Sequence, residues 1–235
     1  MTNEEFHELV HVVIDSPARP PHSLFDGGLD DWHARARLAH FLAMPEFDRQ
    51  QVAIELFKSI VDIEVDEENR EATEEKIFAL QRLSSCLREH QDKLEDSLHY
   101  INLAIELAES TDFLYKYVLR GELWADRWIT LHKLNRTSTA LAEADEKIEI
   151  YESIPVHQNS YLYYAYHFKA QVAAQNSTTL IMKDFMHKAI SFIEVKEEAK
   201  EALEVAFAAD HDNAHFILSE IDKATPSLDS IQWDI

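Results

Sequence analysis

The sequence has little of what disulfide-stabilised, membrane-spanning or nucleotide-binding proteins require. Its one cysteine, Cys86, cannot form a disulfide within the chain, and three glycines in 235 residues are too few for phosphate loops or many tight strand turns. No apolar run approaches the ~18 residues of a membrane span. The first residues lack the basic head and apolar run of a signal peptide, so we expect a reducing, cytoplasmic location and no membrane partner.

Basic residues are also scarce relative to acidic ones. The chain has 22 Lys and Arg against 44 Asp and Glu, which gives a formal net charge of −22. A surface of this sign repels phosphate backbones, so we expect no nucleic-acid partner. Two interpretations of the acidity stay open: it keeps the protein soluble, or it attracts a basic protein.

What the chain has in abundance is helical periodicity. Apolar residues make up 46% of the sequence and recur at spacings of three and four, without sustained period-two alternation. After a short first helix, an irregular connection is predicted between Pro17 and Gly28. Asp30 or Asp31 is predicted to cap the second helix and Asp48 the third.

The remaining helices are predicted to form pairs. An acidic stretch over 64–75, predicted to be a loop plus a first helical turn, precedes two apolar stripes, at 77–87 and 94–108, which are joined by a short polar turn. A long helix over 112–134, with Gly121 as a potential bend or break, is followed by a helix that stops at Pro155. Further helical patterns lie at 163–172, 181–192, 196–208 and 213–224. Amphipathic helices joined this closely fold antiparallel, so the predicted fold class is all-α, built from stacked antiparallel helical hairpins.

A degenerate repeat runs through the second helices of these pairs. A small or flexible residue is followed four positions later by a large apolar one and then, three later, by another packing residue. The instances are Ala53-Phe57-Ile60, Ser97-Ile101-Ala104, Ala144-Ile148-Tyr151 and Met182-Met186-Ala189. The small residue allows two helix backbones to approach, and the large residue fills the adjacent groove.

This pattern resembles the tetratricopeptide repeat (TPR). The best match covers 125–158, with Trp128 and Leu131 in the first helix, Ala144 and Ile148 in the second, and His132 as a departure from the family's small residue. Residues 163–194 and 78–109 match next, whereas the pair at 34–63 has a short first helix. The resemblance implies a short right-handed superhelix, with a capping element at 1–45, hairpins at 46–194, and C-terminal helices and tail at 195–235.

The resemblance also implies a concave groove lined by first helices. Its positions in this sequence are Arg82, Cys86, Glu89, Ile129, Lys133, Arg136, Tyr164, His167 and Gln171. Several are basic, which suits a peptide carboxylate or acidic side chains. The alternative is that these residues are solvated or paired with neighbouring Glu side chains.

Histidine is the other chemistry-bearing residue, with 13 copies. The pairs His7/His11 and His211/His215 have the four-residue spacing that holds Zn²⁺ when a third ligand is supplied. Neither pair lies in an HExxH motif. Cys86, with His90 four residues later, has the spacing of a nucleophile and its base, but its helical context favours a semi-buried thiol. The sequence therefore predicts no catalytic residue, metal or cofactor.

These features favour a non-enzymatic helical-repeat scaffold that binds a protein or peptide, as in peptide-responsive bacterial regulators of similar architecture. Two alternatives remain: an acidic immunity-type inhibitor that masks a basic toxin, and a small metal-dependent hydrolase that uses clustered His and carboxylates. A homodimer is left open.

Overall fold

Helices account for all the regular structure in the described part of the chain. The computed structural model describes residues 1–17, 20–66, 69–111, 116–152, 159–175, 184, 185, 188 and 189. These residues contain eight α-helices and no strand, so the all-α prediction is confirmed. The helices are α1 (Asn3–Ile14), α2 (Trp32–Leu42), α3 (Gln50–Lys58), α4 (Arg70–Arg88), α5 (Leu94–Ser110), α6 (Lys116–Lys133), α7 (Thr137–Tyr151) and α8 (Asn159–Gln175).

Some sequence-based expectations fall outside this range. The helical patterns at 196–208 and 213–224, and most of the one at 181–192, lie outside the described residues. Among the helices that are described, none combines the length and the apolar character needed to cross a membrane.

The chain divides into two compact units, Met1–Phe113 and Leu114–Ile235. The first unit contains α1–α5, and the second contains α6–α8. The predicted boundaries at residues 45 and 194 stay predictions.

The first unit is organised around α2, α3 and α4. Helix α2 contacts both α3 and α4, α3 also contacts α4, and α4 lies along α5. Helix α1 covers α2 with the side chains of Phe6, Val10 and Val13, all buried. The irregular connection predicted after α1 contains two short 3-10 turns, and Phe25 from the first of them enters the same core.

Small polar residues set the close packing of α4 against α5. Ser84 and Ser97 are fully buried, and each hydroxyl lies 2.9 Å from the other residue's carbonyl oxygen. Their hydroxyl oxygens are also 2.9 Å apart. Buried hydroxyls need such partners, and the short side chains let the two backbones approach.

Capping predictions met different outcomes. The Asp31 carboxylate accepts a hydrogen bond of 3.0 Å from the His33 backbone N–H, so Asp31 caps α2 as predicted. Asp48 does not cap α3; that prediction was wrong. Pro45 starts a 3-10 turn that Asp48 closes at φ 48°, in the left-handed region that Asp tolerates, and α3 begins after Arg49.

A buried lysine joins α4 to the segment after α3. Lys76 is only 4% exposed. Its Nζ donates hydrogen bonds to the carbonyl oxygens of Ile60, Val61 (2.5 Å) and Ile63 (3.1 Å). These carbonyls lie in the turn that follows α3, beyond the last residue of the helix. Lys76 therefore supplies hydrogen-bond donors to the backbone carbonyls of a turn that has no regular secondary structure.

The second unit repeats the same contact pattern with α6, α7 and α8, each of which contacts the other two. Helix α6 runs unbroken through Gly121, so the glycine does not interrupt it. Asn135, at φ 61°, ends α6 with a hydrogen bond of 2.8 Å from the Arg136 N–H to the Leu131 carbonyl. This six-to-one closure is the Schellman motif, and it turns the chain directly into α7.

Candidate functional site

A cavity of about 420 Å³ lies in the first unit between α2 and α4. We call it the α2–α4 groove. Its apolar surface comes from Phe41 and Ala36 on α2, Phe57 on α3, and Phe78 and Ala79 on α4. Phe57 is buried, whereas Phe41 and Phe78 are half-buried and keep part of their rings open. The volume suits a few side chains of a ligand.

Helical spacing explains why one face of α4 lines this groove. Glu71, Glu75, Phe78 and Arg82 follow one another at intervals of four, three and four residues, and Glu74 lies three residues after Glu71 and four before Phe78, which places all five on a single stripe. The stripe begins with carboxylates in the first turns and ends with a guanidinium. The groove therefore has an acidic end and a basic end.

At the acidic end, a carboxylate of α4 is held by two side chains of α2. Glu75 accepts a hydrogen bond of 2.8 Å from Arg37 Nε and is also bonded to His33 Nδ1. Arg37 lies 3.6 Å from the Glu71 carboxylate, whose side chain is 82% exposed. Glu74 is paired with Arg70 at 2.8 Å. Glu71 is therefore the most exposed of the three carboxylates at this end.

At the basic end, Arg82 is exposed and lines the cavity. It forms no hydrogen bond or ion pair with any residue that the structure describes. Its neighbour His40 has its pKa lowered, first by burial and second by the positive charge of Arg82. His40 is therefore uncharged at neutral pH, and Arg82 is the principal positive charge at this end.

The contacts across the groove show that α2 and α4 run parallel. His33 and Glu75 are 42 residues apart, and so are the facing residues His40 and Arg82. The second unit has the same register. Tyr164 donates a hydrogen bond of 3.0 Å to Glu122, 42 residues away. The Nε2 atom of His132 lies 2.6 Å from the Oε1 atom of Gln175, 43 residues away. In both units, two parallel helices thus lie 42 or 43 residues apart along the sequence.

Three of the residues predicted to line the binding groove lie on or at the end of α4. Arg82 lines the α2–α4 groove. Cys86, one turn later, is 5% exposed, and burial raises the pKa of its thiol, so it does not resemble an activated nucleophile. Glu89 is exposed just after α4 ends.

The other predicted positions lie in the second unit. Helix α6 carries Ile129, which is half-buried, and Lys133, which is exposed; Arg136 is exposed just before α7. Tyr164, His167 and Gln171 follow one another on α8. The contact between Tyr164 and Glu122 places part of this set on the face shared by α6 and α8.

Burial changes the chemistry of two of these α8 residues. Burial and the adjacent Glu122 carboxylate raise the pKa of Tyr164. Burial lowers the pKa of His167 to about 4, and its ring stacks on Tyr163 with the centroids 5.6 Å apart. At neutral pH His167 therefore contributes an uncharged aromatic ring.

Sequence reasoning missed most of the α2–α4 groove. The sequence predicts a first helix at this position that is too short for a regular repeat, so it assigns no binding role to Arg37, His40 or Phe41. The available signal was their spacing, because residues three and four apart on a short amphipathic helix share a face. The partners of Glu75 lie about 40 residues away and needed the fold to be seen.

The metal-site candidates stay without a complete ligand set in the described part of the chain. His7 and His11 are exposed on α1, and no group of three or more His, Cys, Asp or Glu side chains among the described residues is arranged to hold a metal ion. His211 and His215 lie outside the described residues.

Comparisons with protein families, with curated proteins and with solved structures found no match to this chain.

Proposed function

We propose that this protein is a non-enzymatic scaffold of TPR-like helical hairpins that binds a peptide segment of another protein in the α2–α4 groove. The supporting architecture is the recurring contact pattern, in which a first helix packs on its own second helix and on the next first helix. Parallel neighbouring first helices present a continuous face to a ligand. The 42- to 43-residue register is longer than the 34 residues of the regular repeat, in keeping with a degenerate relative.

One observation carries the assignment to this groove. A partly open aromatic surface ends at Arg82, an exposed guanidinium that the described residues leave without a hydrogen bond or ion pair. Aromatic and arginine side chains together are enriched where proteins bind proteins. A peptide side chain packed on Phe41 and Phe78 gains apolar burial of about 25 cal/mol per Å², and it brings polar groups to the charged rim.

A random-peptide library displayed on phage and selected on the purified protein tests this proposal. We expect selected peptides to bind wild type and to lose about tenfold or more in affinity against Phe78→Ala, which removes an open ring from the groove. Phe47→Ala is the matched control, because Phe47 is half-buried against the core of the same unit but does not line the groove. Selected peptides that bind wild type and Phe78→Ala equally well would contradict the proposal, provided that circular dichroism shows Phe78→Ala and Phe47→Ala to be folded.

The net charge of −22 favours a second candidate. In this version the acidic exterior masks a basic protein, as an immunity-type inhibitor masks a toxin. Association would be fast at low salt and would weaken steeply with ionic strength. Partner capture that survives Phe78→Ala but disappears at high salt would favour this candidate over the groove.

A further inference from the structure

The α2–α4 groove is electrically polarised along the axis of α4, and this feature goes beyond an apolar docking site. Glu71 and Glu74 lie at one end, Phe78 lies in the middle, and Arg82 lies at the other end. The exposed Glu71 carboxylate at the first end and the Arg82 guanidinium at the second both lie beside the aromatic surface. A ligand with charge of one sign would be repelled at one of the two ends.

The spacing of these charges sets a length for the ligand. Along α4, Arg82 is 11 residues beyond Glu71 and 8 beyond Glu74. At 1.5 Å per residue these separations are about 16 and 12 Å. An extended chain advances about 3.3 Å per residue, so complementary charges on an extended ligand would be about four or five residues apart.

We propose that the groove selects an extended peptide segment with an apolar centre, a basic side chain at the Glu71/Glu74 end and a carboxylate side chain at Arg82. Arg82 is then a specificity-determining residue, and the apolar centre packs on Phe41 and Phe78. This inference rests on the proposed function and specifies its ligand. Peptide binding without charge selection would overturn the inference and leave the proposed function standing.

End-blocked, fluorescently labelled peptides test the charge pattern by anisotropy at low ionic strength. The probes are Lys-Ser-Leu-Phe-Ser-Glu, its order-reversed form Glu-Ser-Leu-Phe-Ser-Lys, and the neutral Gln-Ser-Leu-Phe-Ser-Gln. Blocking both ends removes the terminal charges, so only side chains supply the carboxylate. We expect at least one bipolar order to bind about five- to tenfold more tightly than the neutral peptide.

Charge reversal in the protein makes the test specific. Arg82→Glu should lower the affinity for the preferred bipolar peptide about tenfold. Replacing the Glu of that peptide by Lys should restore its binding to the Arg82→Glu variant. Arg49→Glu is the matched control, because Arg49 is exposed in the same unit, does not line the groove, and undergoes the same change of charge. It should leave the affinity of the bipolar peptide unchanged within twofold.

Three results would overturn the inference: equal affinity of the neutral and bipolar peptides, no rescue by the Lys-substituted peptide, or no binding by any of the probes. If the probes fail while library-selected peptides still depend on Phe78, the groove binds peptides of another pattern. If both fail, the proposed function fails as well.

Discussion

Lys76 shows at the scale of one residue how this fold uses a buried charge. The side chain is buried, and its ammonium group serves three carbonyls after α3. Burial lowers the pKa of Lys76 to about 8, and the nearby Asp62 carboxylate opposes that shift. The buried charge is tolerated because three backbone carbonyl oxygens accept its hydrogen bonds.

Replacing this donor should destabilise the first unit. We expect Lys76→Met to lower the free energy of unfolding at pH 7 by about 1–3 kcal/mol, since buried and partly buried carbonyls lose a charged hydrogen-bond donor. Lys58→Met, at an exposed position, is the control and should change it by less than about 0.5 kcal/mol. Urea unfolding followed by circular dichroism measures both; equal stability of the two variants would disprove the role.

The pH dependence of the same residue has a definite sign. Because the pKa of Lys76 falls from 10.5 to about 8 on folding, the unfolded chain holds this proton more tightly between those values. The contribution of Lys76 to the free energy of unfolding should therefore rise from pH 8 to 10.5. Subtracting the Lys76→Met profile from that of wild type isolates this rise, and a flat difference would count against it.

His167 should make the second unit sensitive to acid. Its pKa falls from 6.5 to about 4 on folding, so between these values the unfolded state binds a proton that the folded state does not. Stability should fall as the pH drops from 6.5 to 4, and His167→Gln should flatten that slope. His7→Gln, at an exposed position, should leave it unchanged. Thermal melts across this range measure the slopes, and identical slopes in both variants would refute the assignment.

At the scale of the element, paired helices are joined by side chains arranged around each turn. In the α6–α7 hairpin the Arg127 guanidinium donates to the Glu143 carboxylate at 2.9 and 2.7 Å, and both side chains are 21% exposed. Lys147 lies 4.0 Å from the centroid of Trp124 in the same hairpin. Each contact joins a residue of α6, before the Asn135 turn, to a residue of α7, after it. Together they fix the antiparallel packing of α7 on α6.

The bidentate Arg127–Glu143 ion pair should contribute more to the stability of the fold than an exposed ion pair. We predict a coupling energy of about 1–2 kcal/mol for Arg127 and Glu143 in a double-mutant cycle with Arg127→Met and Glu143→Gln, because the geometry is bidentate and partly shielded. The Arg70–Glu74 pair, spaced i, i+4 on α4, should give no more than about 0.5 kcal/mol. A larger coupling for Arg70–Glu74 would contradict this ranking.

Elements were more predictable from the sequence than their ends or their partners. The stripes of α4 and α5 follow directly from helical periodicity, and Asp31 is a strong local capping signal. The prediction that Asp48 caps α3 was wrong because Asp48 instead ends the 3-10 turn that Pro45 starts, with a left-handed backbone conformation. Gly121 does not break α6, which continues through it. Packing within the second unit outweighs the low helix propensity of glycine.

At the scale of the whole molecule, the sequence predicted an all-α chain of hairpins but not where two of them enclose a cavity. Arg82 was found from the repeat pattern, whereas the aromatic surface and the Glu71, Glu74 and Glu75 cluster depend on how α2 meets α4. That contact joins residues about 40 positions apart, and no local signal encodes it. In both units, neighbouring parallel helices lie 42 or 43 residues apart along the sequence, a spacing compatible with a helical repeat.

Methyl NMR on alanine-labelled protein tests most directly whether the α2–α4 groove is the binding surface. Ala36 and Ala79 line the groove, whereas Ala140 and Ala144 are buried in the second unit and serve as internal controls. On titration with a library-selected peptide, we expect saturable shifts of the Ala36 and Ala79 methyls and unchanged Ala140 and Ala144 signals. Saturable shifts in the second unit, with Ala36 and Ala79 unchanged, would contradict a groove-binding scaffold.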